Sequence, residues 1–112
     1  MNTENAKQQM RKGVLELCVL SIIAAHDTIY PATIKEELQK VGIEVVEGTL
    51  YPMLTRLKNS GHLTYSWLES NAGPPRKYYK ITDAGGSFLA ELQQAWREFV
   101  GSVDQLFIVT PQ

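Results

Sequence analysis

The chain begins with a long amphipathic pattern. Strong helix formers run from about Asn5 to Ala25, and apolar residues recur at helical spacing from Val14 onwards, which predicts a first helix whose second half is buried. A second helix is predicted from Pro31 to about Val41, because proline suits the first turn of a helix. Gly42 then follows as a candidate left-handed cap that ends it.

The segment EGTLYPMLTRLKNSG, residues 47–61, predicts a third helix with two different faces. One face is apolar and consists of Leu50, Met53, Leu54 and Leu57. The opposite face carries small and polar residues, namely Gly48, Pro52, Thr55 and Asn59, flanked by Thr49, Tyr51 and Arg56. No side chain of this second group is acidic, so the face suits contact with a negatively charged partner.

Pro52 leaves the start of this helix open between two alternatives. With Thr49 as the N-cap, Pro52 lies in the first turn, where its missing N–H has little effect. With a start at Glu47, the proline instead loosens the first turn. In either case the compact side chains of Gly48 and Pro52 let this face approach another molecule closely.

Beyond Gly61 the period changes from helical to alternating. Apolar and polar residues alternate over residues 63–67 and predict a strand with one covered face. The polar, Gly- and Pro-rich segment SNAGPP, residues 70–75, predicts a loop, and RKYYKI, residues 76–81, predicts a return strand. Residues 62–81 are therefore a predicted β-hairpin.

The last predicted helix follows Thr82, a good N-cap, and runs from about Asp83 to Phe107. Its apolar residues are spaced alternately three and four positions apart, the heptad pattern of a helix that packs lengthwise on a partner helix. It would be about 37 Å long, longer than a small three-helix core can cover. The pattern favours a homodimer over packing within its own domain, with an interface of Leu89, Leu92, Trp96, Phe99, Val103 and Leu106.

The composition fits one globular domain, with 112 residues of which 44% are hydrophobic and 21% charged. The net charge of −1 is unevenly distributed. Residues 49–82 hold five Lys or Arg against one acid, a balance of +4, whereas residues 83–112 hold one Arg against four acids, a balance of −3. A basic segment of this kind is typical of a phosphate-binding surface, although a merely solvated surface would have the same composition.

Cysteine and histidine usage excludes several kinds of site. Cys18 is the only cysteine, so no intrachain disulfide can form, and neither His26 nor His62 has a partner at metal-ligand spacing. No catalytic arrangement or phosphate-cradling glycine loop is present, so we expect no enzyme activity, metal or cofactor. Without a signal-peptide pattern or an apolar run long enough to span a membrane, the expected location is the cytoplasm.

The predicted order of elements is helix, helix, helix, strand, strand, helix. This is the order of a winged helix-turn-helix, in which the third helix enters the major groove of DNA and the hairpin wing reaches the neighbouring backbone. The expected fold class is mainly α with a small β-hairpin. We expect a DNA-binding domain over residues 1–82, a dimerisation helix over residues 83–107 and a tail over residues 108–112. The alternative is a winged-helix module that binds protein through the same surface.

Two motifs resemble those of the PadR family of bacterial transcriptional regulators. EGTLYPMLTRLKNSG, residues 47–61, is similar to G-T-L-Y-P-x-L-x-R-L-x-x-x-G, and GPPRKYYKIT, residues 73–82, is similar to P-R-K-Y-Y-x-[IL]-T. GVLELCVLSII, residues 13–23, also resembles the first helix of that family. One departure is the segment Tyr30-Pro31-Ala32-Thr33-Ile34, where the family usually has Gly-Tyr before the second helix. The resemblance, over residues 10–107, implies a DNA-binding homodimer of the short, single-domain type, usually a repressor, whose last helices intertwine.

The candidate DNA-binding residues lie on the third helix and the wing, and are Thr49, Tyr51, Pro52, Thr55, Arg56, Arg76 and Lys77. Arg56 is the first choice for a phosphate or guanine contact, with an ion pair to Glu36 or Glu37 as the alternative. The alternative role of Thr49 is to cap the helix, and the alternative role of Tyr51 is to pack under the wing. Neighbours on a strand point to opposite sides, so only one of Arg76 and Lys77 is expected to face DNA.

Two further expectations concern aromatic residues. One of Tyr78 and Tyr79 should enter the core, because the two are neighbours on a strand. Trp96 lies at a seam position of the last helix, where the two copies of a dimer would face each other across its axis. It is therefore a candidate contact for a flat aromatic effector, with plain interface packing as the alternative.

Overall fold

The computed structural model of the protein describes residues 3–70 and 73–108. In chain order its elements are α1 (Thr3–Lys12), α2 (Leu15–Ala24), α3 (Pro31–Lys40), α4 (Glu47–Asn59), β1 (Leu63–Ser70), β2 (Gly73–Ile81) and α5 (Asp83–Ile108). The fold is mainly helical with a two-stranded antiparallel hairpin, as predicted. The predicted tail, residues 108–112, lies outside the described residues except for the backbone of Ile108.

The prediction of one continuous first helix is wrong. The chain turns at Gly13 and Val14, where the Val14 N–H donates to the Arg11 carbonyl at 3.0 Å, and α2 starts afresh after this turn. Glycine weakens a helix interior by about 1 kcal/mol relative to alanine. No residue of α1 is buried, so nothing in this chain's own core holds α1 in line with α2.

Helices α3 and α4 are each followed, two residues after their last residue, by a glycine in the left-handed conformation, Gly42 with φ of 80° and Gly61 with φ of 85°. At the end of α3 the N–H of Gly42 donates to the Gln39 carbonyl and that of Ile43 to the Leu38 carbonyl. The same pair of hydrogen bonds recurs after α4. These bonds satisfy carbonyl groups that a helix end leaves free, so Gly42 ends α3 as predicted.

Helix α4 begins at Glu47 with Val46 as its N-cap, so the alternative in which Thr49 caps the helix is wrong. Pro52 is the sixth helical residue, and the carbonyl of Gly48 therefore lacks its usual partner within the helix. Both residues are exposed, which leaves that carbonyl accessible to water. The apolar face of α4 is buried as predicted, with Leu50, Met53, Leu54 and Leu57 all in the core.

The hairpin pairs β1 with β2 from Leu63 opposite Ile81 to Leu68 opposite Arg76, with an irregularity before Ser70. The predicted loop over residues 70–75 is too long, because β2 already begins at Gly73. Residues 71 and 72 of that loop lie outside the described residues. The two prolines of β2 are tolerated because they sit at its exposed beginning, where few ladder hydrogen bonds are lost.

Helix α5 starts directly on the junction between α4 and β1. Thr82 caps it as predicted, because its Oγ1 accepts the Gly85 N–H at 2.9 Å. The same hydroxyl donates to the Gly61 carbonyl at 2.6 Å, which ties the start of α5 to the end of α4. The His62 ring stacks on Phe88 of α5 at 4.1 Å between centroids.

The core collects apolar side chains from α2, α3, α4, β1, β2 and the first part of α5. Its fully buried members are Val19, Leu20, Ile23, Ile34, Leu38, Leu50, Leu54 and Leu57. Leu89 completes it from α5 and is only 6% exposed. Beyond Leu92, which packs against this core, the apolar residues of α5 are largely uncovered. No helix in the described residues combines the length and the apolar character that a membrane span requires.

Candidate nucleic-acid interface

A surface notch of about 370 Å³ lies between α4, the wing and the beginning of α3. Its lining brings together four of the predicted DNA-binding residues, which are Tyr51, Thr55, Arg76 and Lys77. Four residues that were not predicted complete it, namely Tyr30, Pro31, Ala32 and Tyr79. The lining of the notch therefore includes two basic residues and several residues with hydroxyl groups, and donors of these kinds suit an oxyanion.

The predicted residues of α4 divide between two sides of the helix. At about 100° per residue, Tyr51 and Thr55 lie on the side of the wing, whereas Thr49 and Arg56 lie on the side of α2. Pro52 lies between these two rows and is exposed. The structure thus places Tyr51 and Thr55 in the notch, and Thr49, Pro52 and Arg56 outside it.

Arg56 forms an ion pair, but with a different partner from the one predicted. Its Nη2 lies 3.1 Å from Oε1 of Glu16 on α2. Glu37 instead pairs with Lys40 at 3.0 Å. The Arg56 side chain is 60% exposed, and an ion pair at such a site contributes at most about 1 kcal/mol. A phosphate could therefore compete with Glu16 for this guanidinium.

The strand register places Arg76 and Lys77 on opposite faces of the wing. The Arg76 guanidinium lies over the Tyr30 ring at 4.9 Å from its centroid. The Lys77 ammonium lies over the rings of Tyr65 and Trp67, at 4.1 Å and 5.2 Å. Each of these two cations is thus held against an aromatic ring, while its remaining N–H groups stay available to a ligand.

The two neighbouring tyrosines of β2 differ as expected. Tyr79 is 3% exposed and belongs to the core, which confirms that one of the pair is internal. Tyr78 is half-buried, and its ring meets the Tyr30 ring edge-on at 5.9 Å. Burial raises the pKa of Tyr79, and the nearby phenols of Tyr65 and Tyr51 raise it further. The Tyr79 hydroxyl therefore stays protonated at neutral pH and can donate a hydrogen bond.

Backbone groups of β2 also point towards the notch. Tyr79 exchanges two hydrogen bonds with Ile29, at 3.1 Å and 2.8 Å. Alternate residues of a strand direct their backbone groups to the same edge, so the N–H of Lys77 points to this edge beyond the end of the pairing. It adds a neutral donor to the cations and hydroxyls of the notch.

Sequence reasoning missed Tyr30 and Glu16. Tyr30 precedes a proline, and this position favours an extended backbone, so an extended residue before α3 could have been predicted from the sequence. Its contact with Arg76 is not readable from the sequence, because the two residues meet only through the pairing of Ile29 with Tyr79. Glu16 gave no local signal, since its partner Arg56 lies 40 residues further along the chain.

A second, apolar depression of about 840 Å³ lies where the second half of α5 passes the end of α1 and the start of α2. We call it the α5 groove. Four of the predicted seam residues line it, which are Leu92, Trp96, Phe99 and Val103. Leu89 and Leu106 do not, because Leu89 is buried in the core and Leu106 lies further along the helix with 67% of its side chain exposed. Trp96 and Phe99 are 43% and 64% exposed.

The remaining candidate chemistry is sparse. Burial raises the pKa of the Cys18 thiol, which keeps it protonated and a poor nucleophile. Within residues 3–70 and 73–108, no three His, Cys, Asp or Glu residues are grouped so as to hold a metal ion.

Residues 19–91 match the Transcriptional regulator PadR-like family. The chain belongs to this family. A PadR-like transcription factor of Bacteroides fragilis is 49% identical and superimposes with a TM-score of 0.76 over 91% of this chain and 98% of that one. A PadR family transcriptional regulator of Eggerthella lenta is 30% identical, with a TM-score of 0.89 over 96% of this chain and 94% of that one.

A curated relative points the same way. A protein of Mycobacterium tuberculosis named as a transcriptional regulator is 36% identical over 80 residues, which is 71% of this chain and 74% of that protein. The PadR-like relatives are transcriptional regulators and not enzymes. The fold and the predicted family are therefore confirmed, and this chain is a PadR-like transcriptional regulator with a winged helix.

Proposed function

We propose that this PadR-like regulator binds a double-stranded DNA operator as a homodimer and represses transcription from it. Helix α4 enters the major groove, and the wing lies on the adjacent phosphate backbone. The observation that carries the proposal is the notch between them, which is lined by Arg76, Lys77, Tyr51 and Thr55. We assign one backbone phosphate to this notch, because cations, hydroxyls and backbone N–H groups are the donors that hold phosphates in protein–DNA complexes.

The exposed face of α4 supports entry into the groove. Gly48, Pro52, Thr55 and Asn59 are all exposed, and none is acidic. Small side chains allow the helix backbone to come close to the base edges, and the absence of carboxylates avoids repulsion by phosphates. Thr49 and Arg56 follow along the α2 side of the helix, where Arg56 would exchange Glu16 for a phosphate or a guanine.

The uncovered part of α5 supports a dimer. Trp96, Phe99 and Leu106 expose apolar surface along one side of a helix, and contiguous apolar surface of this kind marks an interaction site. A second copy of α5 would cover it and fix the separation of the two wings, which sets the spacing of the half-sites. In this proposal residues 1–82 form the DNA-binding domain and residues 83–107 form the dimerisation helix. The dimer acts on chromosomal DNA in the cytoplasm.

A small aromatic effector is the finer part of the proposal. The α5 groove is apolar, and Trp96 lies in its wall with almost half of its side chain exposed. A flat aromatic molecule between the two copies of Trp96 would gain stacking and burial. Because it would bind where the copies meet, it would alter the separation of the wings and release the operator.

Replacing Arg76 or Arg56 with alanine is expected to weaken operator binding by about tenfold, the loss of one charge-assisted contact. Each change should also lower the slope of log affinity against log salt by about 0.9, because one phosphate fewer is neutralised. The operator would be a duplex enriched from random-sequence DNA by the wild-type protein. Fluorescence anisotropy at several salt concentrations measures both quantities.

Arg97→Ala is the matched control, because it removes one exposed positive charge from α5, outside the notch. It should leave the affinity within about twofold of wild type. Failure of the wild-type protein to enrich any sequence would overturn DNA binding. Binding of a protein partner that depends on Arg56 and Arg76 but little on salt would instead favour the alternative of a protein-binding winged helix.

Trp96 is expected to report binding of a flat aromatic ligand through quenching of its fluorescence. The other tryptophan, Trp67, is 60% exposed on the wing and must first be replaced, so the measurement uses a Trp67→Phe variant. Titration with acridine orange should quench the remaining emission in a saturable way. Equal dye binding by a Trp96→Ala variant, followed through the anisotropy of the dye, would contradict an effector site at Trp96.

A further inference from the structure

We propose that Tyr30 is a positioning residue of the DNA-binding surface, and that it holds Arg76 in the orientation in which the guanidinium meets a phosphate. The proposal rests on the function proposed above and deepens it. Tyr30 occurs in neither of the two motifs that carry the family resemblance, and it lies where the chain departs from the family pattern. Its role follows from contacts alone.

The backbone fixes the position of Tyr30 independently of the contacts of its side chain. It is extended, with φ of −86° and ψ of 150°, and serves as the N-cap residue of α3 directly before Pro31. The preceding residue, Ile29, is 3% exposed and exchanges two hydrogen bonds with Tyr79. The residue before Tyr30 is therefore joined to β2 by an isolated antiparallel bridge, which leaves the Tyr30 ring little freedom of position.

The register of this pairing selects the neighbours of Tyr30. With Ile29 opposite Tyr79, Tyr30 stands opposite Tyr78, and Arg76 is the diagonal neighbour on the same face. The observed contacts agree, with the Tyr78 ring at 5.9 Å and the Arg76 guanidinium at 4.9 Å from the Tyr30 centroid. Tyr30 thus links α3 to the two residues of β2 that face away from Tyr79.

Nothing else in the described residues fixes the guanidinium of Arg76. It forms no ion pair there, since the three salt bridges involve Lys7, Lys40 and Arg56. Its cross-strand neighbour is Leu68, which is 48% exposed and whose side chain has no group to accept a hydrogen bond. The Tyr30 ring is therefore the main restraint on this side chain.

The geometry of a cation–π contact suits the proposed task. In such a contact an aromatic ring can cover the flat face of a guanidinium, whereas the N–H donors lie in the guanidinium plane and point outwards. Two of them can then meet a phosphate in the bidentate fashion that arginine favours. A side chain that is already held loses less conformational freedom on binding, which raises affinity without a new contact to DNA.

The test compares Tyr30→Phe and Tyr30→Leu with wild type on the enriched operator. Phenylalanine keeps the ring and should bind within about twofold of wild type, whereas leucine should bind about three- to fivefold more weakly. The double variant Tyr30→Leu/Arg76→Ala should bind no more weakly than Arg76→Ala alone, because the two residues act as a unit. A merely structural role for Tyr30 would give additive losses instead.

A second variant tests the proposal without touching the packing of Tyr30. Arg76→Lys keeps the charge at an exposed position but loses the planar group, so it should weaken binding about threefold with the salt slope unchanged. Wild-type affinity of either Tyr30→Leu or Arg76→Lys would overturn the proposal, as would an equal loss in Tyr30→Phe and Tyr30→Leu. A wild-type protein that binds no DNA would overturn the proposed function itself, so the two failures are distinguishable.

Discussion

Alanine at Gly85 is expected to destabilise the protein by about 2–3 kcal/mol, although alanine is normally the better helix former. A methyl group at this position would overlap the carbonyl oxygen of His62 and lie 2.8 Å from Cγ1 of Ile81. The His62 carbonyl cannot easily retreat, because it accepts the Thr82 N–H at 3.1 Å. Urea unfolding followed by circular dichroism, at fixed protein concentration, measures the change in free energy.

The next residue provides a matched control. Gly86 is exposed in the same turn of α5, and an added methyl group would meet nothing within 4 Å. Gly86→Ala should therefore stabilise the protein by up to about 1 kcal/mol through helix propensity alone. If both substitutions changed the free energy of unfolding in the same direction, the result would contradict the close approach of α5 to the His62 carbonyl. Opposite signs at neighbouring glycines are not expected from propensity or composition.

The position of Gly85 matters for function because it sets how α5 leaves the DNA-binding domain. Thr82 joins the end of α4, the residue before β1 and the start of α5, because it forms hydrogen bonds with Gly61, His62 and Gly85. The helix that we propose for dimerisation is thus anchored at the base of both the reading helix and the wing. A displacement of α5 would be transmitted directly to the notch.

Features governed by local rules were predictable from the sequence. Pro31 at the start of α3, Gly42 after it and Thr82 at the start of α5 each act through their own backbone and near neighbours, and all three predictions were confirmed. The sequence did not decide where α4 starts, because the N-cap of this helix is Val46, whose side chain cannot cap a helix. The break between α1 and α2 at Gly13 was also not predicted, because strong helix formers lie on both sides of this residue.

The candidate site was predictable in composition but not in arrangement. Motif and charge pointed to Tyr51, Thr55, Arg76 and Lys77, which do share one notch. The residues that contact the cations are brought to them by contacts between distant parts of the chain. The periodicity of the sequence carries no information on such contacts. The cation–π contact of Arg76 with Tyr30 arises from an isolated bridge between a loop and β2, and the pairing of Arg56 with Glu16 arises from the packing of α4 beside α2.

The predicted seam of α5 also divides into a buried part and an exposed part, and this division depends on contacts that periodicity does not reveal. Leu89 is buried and Leu92 packs against the core, so a charge at either position would act on the fold of the single chain. Phe99 is 64% exposed and lies in the wall of the α5 groove. It is therefore the better position at which to separate dimerisation from folding.

Glutamate at Phe99 is expected to convert the protein to monomers that remain folded. In a single chain the carboxylate would be hydrated, because this position is largely exposed, whereas in a dimer it would be buried against the apolar residues of the partner. A penalty of about 3 kcal/mol would raise the dimer dissociation constant by about 100-fold. Sedimentation at several concentrations measures the association, and the helical signal in circular dichroism shows whether the chain is folded.

The Gln105→Glu variant is the matched control for Phe99→Glu. Gln105 is exposed on the same helix but lies on the side away from the α5 groove, and the change adds the same negative charge. It should dimerise as the wild type does. Operator affinity should fall with Phe99→Glu and not with Gln105→Glu, because a monomer loses the simultaneous contact with two half-sites. A folded Phe99→Glu protein that still dimerises would place the interface elsewhere on the chain and remove the proposed site of the effector with it.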